Sequence, residues 1–420
     1  MIKVAFVIAG AFATSLSSAA CADPVTISVA YSSGAYTNVM TESARQFEAT
    51  HPDIKIKYVA PVANTYDELL QSTLRSSMVG TLPDISLEGS QNVGIVAQTG
   101  IAVALDDRIA SEKNWSDLGY SPSIGEVGAI GGKTYALAYA TSVPTIYFNL
   151  DLLKKAGVDT TRLPSDWQGL TEAVAKVNEL GGNAVGGLFD YNSTGNWTFQ
   201  AIITSLGGKI LTDDGSDIAF NSPEGMKALQ ILHDFGAAGT VDMSQAQMLQ
   251  AFASGTAGVF ASYSAALGQI EKQVAGKFEI KTAPWPIPAK DGKVPAGGRV
   301  LMIYAKDPAK QNAAWEYAKF LTGPVGQTIL VKGVGAVPVN SKAVSDPNLL
   351  AAFYEDKPNQ KSALEAASRL TKWLSYPGKN SIKVSEAIRE QLRRVLIDHE
   401  KPEVVMTDIM AAVKPLIQAK

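Results

Sequence analysis

A regular alternation of strand-like and helix-like segments near the N-terminus narrows the folds that this chain can adopt. Three segments have the composition or the alternation of strands: Val25–Tyr31, Ile54–Val59 and Pro83–Leu87. The two segments between them, Val39–Thr50 and Tyr66–Met78, have helical spacing. Strands and helices in this order need right-handed crossovers, so the pattern predicts an α/β fold with a mainly parallel sheet.

The loops that follow these strands are expected to form one wall of a cleft, because ligands of such sheets gather at the carboxyl ends of the strands. These loops are Tyr31–Asn38, Val62–Tyr66 and Glu88–Val93. Farther along, Thr134–Asn149 is a long extended run interrupted by Pro144, and we expect it to cross from one lobe to another. A length of 420 residues is itself typical of two or three domains.

The first 22 residues have the features of a signal peptide. Lys3 precedes an apolar run, Val4–Leu16, that is too short to span a bilayer, and small residues follow at Ala20–Ala22. Cleavage after this segment predicts a soluble, cysteine-free periplasmic protein. Cleavage before Cys21 would instead give a lipoprotein, which Ser18 disfavours because lipoprotein signals usually have leucine at that position.

Composition and motifs favour binding over catalysis. The formal net charge of −3 gives no basic surface for nucleic acid. His51, His233 and His399 are far apart and have no partners at metal-ligand spacing, so we expect neither a metal nor a cofactor. The acidic run Asp213–Asp217 breaks the order of a calcium loop and indicates a hairpin tip, and Gly131–Thr134 indicates a turn between strands rather than a phosphate loop.

Aromatic residues beside loops and helix starts are the strongest sign of a ligand. Flat amphipathic rings suit the apolar faces of sugars and polyols, while neighbouring polar groups satisfy the hydroxyls. Core packing is the alternative for each ring taken singly. The set comprises Tyr31, Tyr36, Tyr66, Trp197, Tyr263 and Trp285.

Several blocks resemble the family 1 extracellular solute-binding proteins of ABC importers. The blocks Phe47–Tyr58, Leu82–Gly89 and Gly131–Val158 are followed in family order by GTAGVFASYSA, PAGGRVLMIYAKDP and GAVPVNSKA. The closest branch is the glycerol-3-phosphate, glycerophosphodiester and sugar-binding group. The resemblance implies a two-lobe periplasmic binding protein fold, type II-like, with a hinge between the lobes and a ligand cleft at their interface.

The resemblance also implies domain limits and partners. The signal peptide would be residues 1–22, the N-terminal lobe residues 23–138 plus 296–338, and the C-terminal lobe residues 139–295 plus 339–420. The partners would be a small-molecule ligand and the transmembrane subunits of an ABC permease, with the protein a monomer.

Carried onto this chain, the resemblance implies pocket residues in several loops. Glu88, expected in the loop after the third strand, would accept hydrogen bonds from ligand hydroxyls or be a solvated loop carboxylate. The glycine pair would let backbone N–H groups approach a ligand oxygen. The candidates are Ser33, Tyr36, Tyr66, Glu88, Ser142, Trp197, Tyr263, Gly297 and Gly298.

Two departures from the phosphate-binding branch leave the ligand open. That branch has an arginine in its late loop, where this chain has Lys379 and Asn380, and Asn380 suggests hydroxyl recognition. Arg299 follows the glycine pair where a small residue is expected. If Arg299 faces the cleft it would clamp a carboxylate, sulfonate or phosphate, and if it faces outward it is ordinary surface charge.

A sugar, glycoside or polyol is therefore the predicted ligand, and glycerol-3-phosphate or a glycerophosphodiester is the alternative. A secreted carbohydrate-active enzyme is a further alternative from another class. It would need two carboxylates facing each other across the cleft at roughly 5–10 Å.

Overall fold

The computed structural model describes residues 23–120, 126–378 and 380–418, so the predicted signal peptide and Lys379 lie outside the described residues. The strands are β1 Val25–Tyr31, β2 Ile54–Tyr58, β3 Ile85–Gly89, β4 Ala129–Ile130, β5 Lys133–Thr134, β6 Leu137–Ser142, β7 Pro144–Asn149, β8 Val185–Phe189, β9 Ala257–Tyr263, β10 Ile280–Pro284, β11 Val294–Ile303 and β12 Leu370–Lys372.

Helices surround these strands, and within the described residues none of them has the length and hydropathy needed to cross a bilayer. They are α1 Thr37–Thr50, α2 Tyr66–Val79, α3 Val93–Gln98, α4 Asp106–Ser111, α5 Leu150–Lys155, α6 Trp167–Asn178, α7 Trp197–Ser205, α8 Pro223–Ala237, α9 Gln245–Ser254, α10 Leu267–Val274, α11 Pro308–Thr322, α12 Pro324–Val334, α13 Ser341–Ser345, α14 Ala351–Asp356, α15 Pro358–Glu365, α16 Ser381–Leu396 and α17 Pro402–Gln418.

The strands form two main sheets. The first has the order β12-β11-β3-β1-β2, with β6 also paired to β11, and the second has the order β10-β7-β9-β8. The predicted strand-helix alternation from β1 to β3 is confirmed, and β1 is parallel to β2 and β3. The predicted parallel arrangement is confirmed for β1, β2 and β3, and β12 is also parallel to β11. The complete sheet is mixed: β11 is antiparallel to both β3 and β6, because the chain returns from the second sheet and enters the first in the opposite direction.

The predicted crossing between lobes lies where β6 ends and β7 begins. Residues of β6 pair in the first sheet and residues of β7 pair in the second, with only Val143 between them. Every residue of both strands is buried. The chain therefore passes between the lobes through the core rather than over the surface. The lobe limits given above stay a prediction.

One core cluster lies within the first lobe, and a second contains residues of the second lobe together with Val300 and Met302 of β11. In the first, Phe47 of α1 and Tyr317 of α11 pack on one face of the sheet formed by β1 and β3. In the second, Trp167 of α6 packs against Phe189 and Trp285.

Two turns follow the sequence prediction. An isolated antiparallel bridge joins Leu211 to Ile218, so the acidic run between them is a hairpin tip as predicted. Gly131 and Gly132 connect the antiparallel strands β4 and β5 and have positive φ, which confirms the predicted turn.

Candidate functional site

A cavity of about 970 Å³ lies between the two lobes. The first lobe supplies residues from the loop after β1, the start of α2 and the end of α12, while the second supplies α10, the start of α7 and the end of β9. The crossing strands β6 and β11 form its floor, at residues 140–142 and 297–299. A molecule in this cavity would contact both lobes at once.

Most of the predicted site residues line this one cavity. They are Ser33, Tyr36, Tyr66, Ser142, Trp197, Tyr263, Gly297, Gly298 and Arg299. The loops after β1 and β2 form part of its wall, as expected. The loop after β3 does not: Gln91 and Asn92 line a separate, smaller cavity of about 100 Å³. Ligand contact by the lining residues stays a prediction.

The two glycines of β11 make room for protein atoms. A Cβ on Gly298, whose φ is 113°, would lie 1.9 Å from the carbonyl oxygen of Ala140 on β6. A Cβ on Gly297 would lie 2.9 Å from the Trp197 indole. Approach of a ligand oxygen stays a prediction for the two glycines, which also have a packing role. They allow β6 and Trp197 to pack closely against β11.

Four of the predicted aromatic residues reach the cavity and two belong to the cores. Tyr31 packs edge-on against Tyr58, with ring centroids 5.6 Å apart, and Trp285 packs edge-on against Trp167 at 4.9 Å. Trp197 is held in place because its Nε1 donates to the Pro295 carbonyl at 3.1 Å.

Sequence reasoning missed two rings that line the cavity, Phe353 and Trp373. The Trp373 ring lies 6.2 Å from that of Trp197 and 6.3 Å from that of Tyr66, so it joins the rings of the two lobes. Trp373 directly follows the short strand β12. The criterion of an aromatic residue beside a loop would have included it.

Hydroxyl and amide groups accompany the rings. Ser142 Oγ lies 3.4 Å from Ser264 Oγ, and the backbone N–H of Ala265 donates to Ser142 Oγ at 3.4 Å. Burial raises the pKa of Tyr66 and of Tyr263 above the ordinary value. Both phenols therefore keep their protons at neutral pH and are available as hydrogen-bond donors.

Gln245 is a further lining residue that sequence reasoning missed. Its Nε2 donates to Asp190 Oδ2 at 2.7 Å, and Ser262 Oγ donates to the same oxygen at 3.3 Å. Burial raises the pKa of Asp190 to about 6. Asp190 lies outside the cavity lining, and it fixes the orientation of an amide that faces the cavity.

Arg299 faces the cavity, which settles the alternative left open by the sequence. The side chain is only 7% exposed. Its Cζ lies 3.6 Å from the centre of the Tyr36 ring and 5.1 Å from that of Tyr66, and its Nη2 donates to the Ser32 carbonyl at 3.2 Å. The pairing of β11 with β6 shifts register here: Arg299 pairs with Ala140 and Val300 with Ala138, so the extra residue of the β-bulge is on β6.

Glu88 is a correction to the predicted site. It lies inside β3, not in the loop after it, and it is fully buried. Its Oε1 accepts hydrogen bonds from Thr73 Oγ1 at 2.6 Å, Ser86 Oγ at 2.9 Å and the Tyr304 hydroxyl at 3.4 Å. Burial raises its pKa. This carboxyl group is a satisfied polar centre within the first lobe and is absent from the cavity lining.

Asn380 is the second correction. It directly precedes α16, and its Nδ2 donates to the Leu416 carbonyl of α17 at 3.0 Å. The side chain thus joins two helices instead of lining the cavity, and the predicted hydroxyl recognition has no geometric support at this position.

Comparisons with known proteins agree with this architecture. The sn-glycerol-3-phosphate-binding periplasmic protein UgpB of Escherichia coli (strain K12) is 24% identical over 339 residues, which cover 76% of this chain and 75% of the relative. The crystal structure of UgpB from Mycobacterium tuberculosis in complex with glycerophosphocholine has a TM-score of 0.80 at 20% identity and covers 94% of this chain and 98% of that chain.

The cyclic alpha-maltosyl-1,6-maltose binding protein from Arthrobacter globiformis has a TM-score of 0.78 at 22% identity, covering 94% of this chain and 99% of that chain. These likenesses confirm the predicted two-lobe fold. The family model described as bacterial extracellular solute-binding protein matches residues 42–362. Since this match spans most of the sequence and both lobes, the chain belongs to the bacterial extracellular solute-binding protein family.

Proposed function

We propose that this protein is the periplasmic substrate-binding component of an ABC importer and that it binds a sugar, glycoside or polyol between its lobes. The observation that carries the proposal is the cavity of about 970 Å³ lined by the rings of Tyr36, Tyr66, Trp197 and Tyr263. Small-molecule sites have volumes of roughly 300–1,000 Å³, so this one accommodates a disaccharide-sized solute. Membership of the family supports transport as the role.

The binding mechanism follows from the position of the cavity. A ligand that contacts both lobes stabilises the arrangement in which they are closest, and only this differential affinity drives closure. Rings from the two lobes would cover opposite faces of the ligand, and Ser142 and Gln245 would bind its hydroxyls. The closed form would then be the one that docks on the permease and releases the ligand.

A glycerol-phosphate compound is the second candidate ligand. Arg299 favours it, because a guanidinium facing the cavity matches the geometry of a phosphate. The Escherichia coli relative is named for sn-glycerol-3-phosphate, and the Mycobacterium tuberculosis structure contains glycerophosphocholine.

The proposal of a binding protein, not an enzyme, is supported by the acidic residues. Glu271 is the only carboxylate in the described lining of the cavity. A glycosidase of the usual kind needs two such groups facing each other. The test is to incubate candidate glycosides with the protein and to follow their hydrolysis. Turnover of any of them would contradict this part of the proposal.

The test is a thermal-shift screen of the mature protein against monosaccharides, disaccharides, polyols, sugar acids and glycerol-phosphate compounds. A true ligand raises the melting temperature by mass action, with about 2.7 kcal/mol of stabilisation at one hundred times its Kd. Calorimetry on the hits would then give the Kd. The absence of binding across this panel would contradict the proposed ligand class.

A matched pair of variants separates the site from the fold. Trp197→Leu removes a ring in the cavity, and Trp167→Leu removes an equally buried ring from the core of the second lobe. Both are expected to lower stability. Only Trp197→Leu is expected to weaken the Kd, by roughly tenfold, because an aromatic contact contributes about 0.5–1.5 kcal/mol beyond its buried area. Equal affinities for the two variants would remove Trp197 from the site.

A further inference from the structure

We infer that the ligand carries an oxyanion (a carboxylate, sulfonate or phosphate) and that Arg299 is the residue that binds it. The inference rests on the proposed binding function and deepens it, since it assigns the charge of the ligand and the residue that selects for that charge.

The first support is that Arg299 is buried without a counter-charge. Among the described residues, no carboxylate lies within ion-pair distance of its guanidinium. Its hydrogen bond to the Ser32 carbonyl uses one of five N–H donors, and the buried Nε has no partner in the described part of the chain. A buried, unpaired charge is costly, and an anion in the cavity would offset that cost.

The second support is that the guanidinium is held in place before any ligand arrives. Tyr36 lies against one side of it, Tyr66 lies nearby, and its Nη2 is tied to the Ser32 carbonyl by a hydrogen bond. The planar guanidinium, with its donors already in position, suits an oxyanion, because two oxygens of the anion can accept hydrogen bonds at once. A single neutral hydroxyl cannot make this bidentate contact.

The third support is the charge around the cavity. The lining contains Lys272, Lys332 and Lys357 together with Arg299, against the single acid Glu271. Helix α1, entered through the short helical turn Gly34–Tyr36, also begins at the cavity wall, and this turn has no side-chain N-cap. The positive end of a helix adds to the attraction for an anion.

The experiment compares neutral and charged versions of the same ligand on the wild-type protein and on variants. Glucose is paired with glucuronate and glucose 6-phosphate, and glycerol with glycerate and sn-glycerol 3-phosphate, so that the carboxylate and phosphate arms are read separately. Calorimetry gives each Kd. The variants are Arg299→Gln, Arg299→Lys and, as the matched control, Arg45→Gln, which removes an exposed arginine of α1.

The wild type is expected to bind one charged member at least tenfold more tightly than its neutral partner. Arg299→Gln should weaken the affinity for that charged compound by about 10- to 100-fold, because a hydrogen bond to a charged group contributes about 1.5–3 kcal/mol. The affinity of Arg299→Lys for this member should lie between those of the wild type and Arg299→Gln, because lysine keeps the charge but cannot make the bidentate contact. Arg45→Gln should bind like the wild type.

Two results would overturn the inference while leaving the importer role intact: tight binding of neutral members alone, or unchanged affinity of Arg299→Gln for the charged member. Binding of none of these compounds and of none in the thermal-shift screen would contradict the proposed function, and the inference would fail with it. A screen in which only neutral compounds bind would overturn the inference alone. The wild-type comparison needs no variant, so it decides the question even if Arg299→Gln does not fold.

Discussion

Asp190 shows how one residue outside the cavity controls a group inside it. The carboxylate accepts hydrogen bonds from Gln245 and Ser262, yet its second oxygen, Oδ1, is buried and has no partner in the described part of the chain. Burial disfavours the charged form more strongly than the two donors favour it, which raises the pKa of Asp190 to about 6. The orientation of Gln245 is therefore coupled to a proton.

This coupling predicts a pH-dependent stability. Because the folded pKa of Asp190 is raised from 3.8 to about 6, its contribution to folding is fully present below pH 3.8 and is lost as the pH rises through about 6. Two pKa units correspond to about 3 kcal/mol. Relative to Asp190→Asn, the wild type should lose about this much unfolding free energy between acidic and neutral pH, as measured by urea denaturation.

The control for this prediction is Asp53→Asn, which replaces an exposed aspartate. The unfolding free energy of this variant should change with pH in the same way as that of the wild type. Parallel curves for the wild type and Asp190→Asn would show that the proton of Asp190 does not contribute.

Individual residues also mark the limit of sequence reasoning. The sequence places Glu88 in a loop because the predicted third strand ends at Leu87, and a charged residue seldom lies inside a buried strand. It does so here because Thr73 of α2 and Tyr304 after β11 donate to it. These donors are distant in sequence, so no local pattern could reveal them. The aromatic residues that face the cavity were easier to predict. They lie beside loops, and the order of strands and helices in the sequence shows where those loops are.

Strand β11 is the element on which the site depends most. It pairs with β3, β6 and β12, and it supplies Gly297, Gly298 and Arg299 to the cavity. The sequence indicated a strand here, but periodicity alone could not say which way Arg299 points. The positive φ of Gly298, directly before Arg299, departs from the extended backbone on which the regular alternation of faces depends.

Replacement of Gly298 by alanine is therefore expected to damage this element. The new Cβ would overlap the Ala140 carbonyl in addition to requiring a positive φ. Gly276→Ala is the matched control, because that glycine has a φ of 80° but no atom within 4 Å of the added Cβ. We expect a loss of about 1 kcal/mol for the control and of about 3 kcal/mol or more for Gly298→Ala, measured by denaturant unfolding. Equal losses would mean that the overlap relaxes freely.

At the scale of the whole molecule, the two lobes share a cavity and are joined by crossing strands. The alternation of strands and helices predicted the first lobe well, and the resemblance supplied the second lobe and the cleft. The relative direction of β11 was not predictable from the same pattern, because it depends on where the chain returns after building the second sheet. Local periodicity carries no information about that return.

Closure on the ligand is the prediction that belongs to this scale. A saturating ligand should lower the radius of gyration measured by small-angle X-ray scattering, because it contacts both lobes and stabilises their closed arrangement. Trp197→Leu, examined at the same ligand concentration, should show a smaller decrease in the radius of gyration, in proportion to its lower occupancy. Identical scattering of free and bound wild type would contradict closure.

The pairing of β3 with β11 has a consequence for how the protein is made. The partner residues Gly89 and Arg299 are separated by roughly 200 positions, and pairing over such distances slows folding. During synthesis the N-terminal lobe emerges first but stays unfinished, with one edge of β3 open, until β11 has left the ribosome. We therefore expect stable folding to be postponed until most of the chain has been made, an order of events that suits a member of an extracellular family, whose chain would be threaded across a membrane before it folds.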